Sequence, residues 1–257
     1  MQKILLYSAF LILLSCGKQA KESKENSETT TAQNVTALPI QRDATILLDT
    51  AIARKLSKKE MNTIFTNKRQ IQLGISNEVY QAYTYKDDAN EYYLVLTDHR
   101  KNITKEKDTL YDNVYALNLI NNNYQFKKRS TIKGEIDGDW ETSIGFWNQY
   151  SELSDLDGDG TVDPIIVYGT TGQNKYKDGR VRIVAYHQKK RVTIKHQNSE
   201  IEDGRITKIN KNFYNFPIEI QEAVKAKMKL MIKNGHAFFV DEWEKDMQNK
   251  ATRLEKM

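Results

Sequence analysis

The sequence predicts an α+β fold that is mostly antiparallel β, a meander or a sandwich, with helices at its C-terminal end. Two observations carry this. Segments rich in aromatic and β-branched residues follow one another across short turns, with no helix-length pattern between them, which argues against βαβ units. A sustained helical period appears only near the C-terminus. With 257 residues, 39% hydrophobic and 28% charged, the chain can bury one substantial core.

The folded part opens with Ser57-Lys58-Lys59-Glu60, a capping box that starts a short helix through Phe65. Then the period changes to that of strands. Val79 to Tyr85 and Glu91 to Thr97 read as antiparallel strands joined by a hairpin loop at 86–90. Further strands are expected at Val114 to Ile120, Tyr124 to Ile132, Ile165 to Tyr168, Val181 to Tyr186 and Arg191 to His196. Pro217 suits a helix's first turn, and Ile220, Ala223, Val224, Met228 and Met231 recur at helical spacing before Gly235 stops them. That stripe reads as a face packed on the sheet, with a partner-docking surface as the alternative. Asp241 is expected to cap a second helix through Asn249. No repeat of propeller or solenoid length is visible.

Before residue 38 the chain is of another kind. Lys3 is a short positive region and residues 4–14 are an apolar run too short to span a bilayer as a helix, the form of an export signal. Leu13-Leu14-Ser15-Cys16 resembles the lipobox of bacterial lipoproteins, in which the cysteine receives a diacylglyceryl group after cleavage. Residues 16–37 are polar, charged and free of aromatics, a composition that cannot repay the entropy of ordering. The expected organisation is a signal at 1–15, a flexible tether at 16–37 from lipidated Cys16, and a single β-rich domain at 38–257 with helices from about 217.

Cys16 is the only cysteine, so the chain has no internal disulfide and no CxxC motif. The formal charge of +5 is mild, and its lysines are spread along the chain among acids. Nucleic-acid binders gather positive charge on one face, so that class is set aside.

One stretch carries chemistry. Asp155, Asp157, Asp159 and Asp163 occupy loop positions 1, 3, 5 and 9, Gly160 stands at the turning position 6, and Thr161 offers its carbonyl at position 7. Hard cations take six to eight oxygens, and alternate acids on a tight loop converge on one point; without a cation the acids repel. The expected cofactor is calcium. Position 12 is Ile166 where an EF-hand needs a bidentate glutamate, and 164–168 reads as a strand. The loop instead resembles the calcium loops of FG-GAP and VCBS repeats, in which an Asp-rich loop runs directly into a strand. The alternative is an Asp/Gly turn with solvated charges.

Glu135, Asp137 and Asp139 form a second acidic stretch, read as a turn before it is read as paired glycosidase acids. Trp140, Phe146, Trp147 and Tyr150 cluster nearby. Core packing is the first reading for them, and stacking on sugar rings by Trp140, Trp147 and Tyr150 the alternative. His99, His187, His196 and His236 lack metal-ligand spacing. No residue earns a catalytic role.

Taken together, the lipobox, Trp140 to Asn148, Asp155 to Thr170 and Phe213 to Met247 resemble a family of Bacteroidetes lipoproteins labelled by association with surface polysaccharide biosynthesis. The resemblance implies a process and no catalytic residues. The expectation is a calcium-stabilised lipoprotein of the bacterial cell envelope, without enzymatic activity. It is anchored to the membrane, the outer membrane by expectation, through Cys16, and it binds or assists surface polysaccharide. A glycan hydrolase and an assembly subunit are the alternatives.

Overall fold

Strands β1 (Leu47–Leu48) and β2 (Ala53–Lys55) open the fold, followed by α1 (Lys58–Ile64) and α2 (Asn67–Leu73). The computed structural model describes residues 37–256 except 88, 105–107 and 124. The expected signal, Cys16 and the tether up to residue 36 lie outside the described residues. Ser57 and Glu60 form the expected reciprocal cap, each bonding the other's backbone amide, and α1 ends at Ile64 with Phe65 as its cap.

Strands β3 (Glu78–Lys86), β4 (Glu91–Ile103), β5 (Thr109–Asn122) and β6 (Gln125–Glu135) extend β2 into a five-stranded antiparallel meander in chain order. The second sheet holds β7 (Glu141–Phe146), β8 (Glu152–Leu153), β9 (Ile165–Gly172), β10 (Arg180–His187), β11 (Lys190–Gln197) and β12 (Ile206–Ile209), together with β1. Helices α3 (Ile218–Lys233) and α4 (Trp243–Gln248) follow, and β13 (Arg253–Leu254) closes the edge against β12. All pairs are antiparallel except β1 with β8. The fold is α+β, as expected.

Three cores stack the elements in layers. Phe65 and Leu73 from the first helices pack with Ala82, Tyr93, Val95, Leu117 and Leu119 on one face of the meander. The meander's other face, with Tyr83, Tyr85, Leu94 and Leu96, meets Ile144, Phe146, Ile166 and Val184 of the second sheet. The far face of that sheet buries Ile165, Val167 and Ile183 against α3 and α4. Both sheets are therefore covered on both faces at their centres, which is why β4 reads as the unbroken run Tyr92-Tyr93-Leu94-Val95-Leu96 and does not alternate.

On α3, Ile220, Val224, Met228 and Met231 are fully buried, each worth about 1.5–3 kcal/mol of apolar burial. The stripe is covered by the second sheet and presents no docking face. The expected cap at Asp241 is corrected: α4 begins after Glu242, whose left-handed backbone (φ 58°) turns the chain, and the Asp241 amide donates to Glu202 instead.

A buried polar network ties β11 to the segment after α3. His196 Nε2 donates to Asn198 Oδ1 at 2.8 Å, since that oxygen also accepts the Phe238 amide, and Nδ1 accepts from Thr207. Burial holds this imidazole neutral, with its pKa pushed down from 6.5 to about 3. A depressed folded pKa gives stability that is present above pH 6.5 and lost as pH falls toward 3, by up to about 1.4 kcal/mol per unit. Urea midpoints at pH 7 and pH 5 are expected to fall steeply in the parent and less steeply in His196→Gln. His236, also lowered by burial, keeps a residual slope in the variant. An unchanged slope would remove His196 from the account.

Candidate metal centre

The acidic loop occupies the crossing from β8 to β9, and two features set its path. Gly158 and Gly160 stand at φ 77° and 84°, a left-handed backbone that favours glycine, so the chain can turn twice within three residues. At the loop's end Asp163 donates its amide to the Ser154 carbonyl at 2.8 Å, closing the loop at its neck.

The carboxylates turn inward and collect the loop's own amides. Asp155 accepts from Gly158 and Gly160 at 2.9 Å each, Asp157 from Asp159 at 3.2 Å, and Asp159 from Thr161 at 2.8 Å. Asp163 accepts from Leu156 at 3.2 Å. Its side chain is wholly buried, and burial pushes it up to about 6 against the pull of the His187 and Leu156 bonds. For Asp159 desolvation also acts upward, but bonds from Gln188 and Thr161 outweigh it and leave the group below its ordinary value.

Two groups of ligand atoms result, each with its members within 4.8 Å of one another: Asp155, Asp157 and Asp163, and Asp157, Asp159 and His187. Either could hold a metal ion. Each of the four expected aspartates belongs to one of these groups, and Asp157 to both. The Thr161 amide bonds Asp159.

His187 is the member that sequence reading missed. Its Nδ1 lies 3.0 Å from Asp163 and 3.6 Å from Asp157, and its side chain is 11% exposed. Ala185 pairs with Ile165 across β9 and β10, and continuing that register by two residues sets His187 opposite Asp163. Hairpin register was the one signal that could have found it, because in sequence the histidine stands alone, 24 residues away.

The donor set fits a hard cation. Asp155, Asp157 and Asp163 offer oxygen only, the chemistry calcium and magnesium require, while His187 bonds Asp163 from the side and fixes its orientation. Glu135, Asp137 and Asp139 join neither group.

The aromatic cluster divides. Trp147 and Tyr150 are 2% and 1% exposed in the core beside α3, so neither offers a face to a sugar; Trp140, at 36%, is the only one of the three that reaches solvent. Tyr150 instead bonds His236 Nδ1 and accepts from Asn234 at 2.9 Å. Glu141 was not singled out by sequence reading either. Its carboxylate is buried and takes Arg180, Thr170 and the Asp137 amide.

Compared with known proteins, the chain matches no family model, no curated protein and no solved structure.

Proposed function

We propose that this chain is a lipid-anchored protein of the bacterial envelope whose Asp155–Asp163 loop holds a structural calcium ion and whose role is to bind or assist surface polysaccharide without turnover. The observation that carries the metal reading is the convergence of Asp155, Asp157 and Asp163, an all-oxygen group built on a loop whose amides already orient every carboxylate. Asp155, Asp157, Asp159 and Asp163 would hold the ion, which supplies charge neutralisation and fixes the path from β8 into β9. Affinity of about 10⁻⁴ to 10⁻³ M is expected, as in extracellular modules. A hydrolase is the weaker reading, since the buried Glu141 carboxylate is committed to Arg180 and the Asp155 carboxylate to loop amides.

The address rests on the lipobox, and no helix among the described residues is long and apolar enough to cross a membrane. Anchoring would therefore fall to acyl chains on Cys16, several of which give lasting attachment where one binds marginally. In bacteria producing the chain, labelled palmitate is expected to enter the parent and not Cys16→Ser, and the variant is expected to leave the membrane fraction. Equal labelling of both would end the lipoprotein assignment.

A further inference from the structure

Beside the acidic loop the two sheets part and leave a cleft of about 1150 Å³. Thr161 and His187 of the metal centre line one end of it. Four basic side chains face it, Lys127 and Arg129 from β6, Lys189 from the turn after β10, and Arg191 from β11, against a single carboxylate, Asp87; Lys128 turns to the other face of the meander, toward Gly74. That carboxylate is already bonded to the Tyr92 hydroxyl and the amides of Ala89 and Asn90. Among the described residues none of the four basic groups joins an ion pair; Arg129 lies over the Tyr92 ring at 4.9 Å, and Arg191 donates to the Thr131 carbonyl at 2.8 Å. Unneutralised cations around a concave surface raise the local concentration of anions.

Nucleic acid fits poorly, because Tyr85 and Tyr92 stack on each other at 5.1 Å, are 4% and 5% exposed, and offer no free ring to a base.

We propose that this cleft binds an anionic oligosaccharide, its carboxylate or sulfate groups held by the arginine and lysine donors. The sugar rests on the polysaccharide reading above; the charge rests on the cleft alone. Arginine's planar fork matches both anions, so Arg129 and Arg191 carry the recognition.

The test titrates full-length protein in detergent with uronate-, sulfate- and sialate-bearing oligosaccharides, each beside its esterified, desulfated or asialo counterpart, and with anionic phospholipid vesicles. The expected result is an acidic member that binds at least about tenfold more tightly than its neutral counterpart, more weakly as salt rises, and about tenfold more weakly to Arg129→Gln, Arg191→Gln. That variant should unfold at the parent's temperature; if it does not, Lys127→Gln, Lys189→Gln makes the same test on exposed side chains. Binding of neutral and acidic members alike, or binding that ignores these substitutions, overturns the anionic site while leaving the polysaccharide reading in place. Binding to no member of the panel, or to vesicles alone, overturns both.

Discussion

Calcium at 10 mM is expected to raise the unfolding temperature of this protein by about 3–10 °C, and magnesium to raise it much less. At the expected affinity that concentration is about 10 to 100 times Kd, and a ligand confined to the folded state then adds about 1.4–2.7 kcal/mol. For a domain of this size each kcal/mol moves the midpoint by about 2–4 °C. The physical source is the loop: Asp155, Asp157 and Asp163 bring ligand oxygens within 4.8 Å of each other, and Asp163 does so from a wholly buried position. Without an ion, His187 is the nearest positive charge available to them, and only when protonated. Magnesium demands a small octahedral shell and sheds water reluctantly, which a loop already shaped by amide bonds cannot readily supply. Asp157→Ala with Asp159→Ala should abolish the calcium shift. The same shift in that variant, or none in the parent, would reduce the loop to a solvated turn.

What could be read from the sequence, and what could not, follows from distance along the chain. The capping box at Ser57 and the stripe on α3 are local patterns, and each stands where it was expected. The loop acids are local too, eight residues apart at most, from Asp155 to Asp163. Strand β7 escaped because Glu141-Thr142-Ser143-Ile144-Gly145-Phe146 is half polar, and its polar members are consumed by tertiary partners: Glu141 by Arg180, Thr142 by the Thr171 carbonyl, and Ser143 by the Tyr111 amide. Helix α2, Asn67-Lys68-Arg69-Gln70-Ile71-Gln72-Leu73, buries only Leu73 and so shows no apolar stripe at all. His187 and the basic cleft needed the pairing of β9 with β10 and the facing of two sheets, facts carried by register and packing.

Arg180→Met is expected to destabilise the protein by about 3–5 kcal/mol, because it strands a charge that has no access to water. The Glu141 side chain is fully buried, and its carboxylate takes Arg180 Nε at 2.6 Å, Arg180 Nη2 at 2.5 Å, the Thr170 hydroxyl at 2.6 Å and the Asp137 amide at 2.6 Å. Arg180 also donates to the Glu135 carbonyl at 2.7 Å, so one bidentate pair joins β7, β9, β10 and the turn leaving β6. Removing the arginine leaves two neutral donors for a buried carboxylate, whereas Glu141→Gln keeps an acceptor and should cost less. The double variant Arg180→Met, Glu141→Gln removes both charges and is expected to be more stable than Arg180→Met alone, since well-packed neutral groups often equal a buried ion pair. Urea denaturation of the three variants and the parent closes this cycle. A loss below about 1 kcal/mol for Arg180→Met, the range of an exposed pair, would mean that water reaches Glu141 and that the pair contributes little to joining the two sheets.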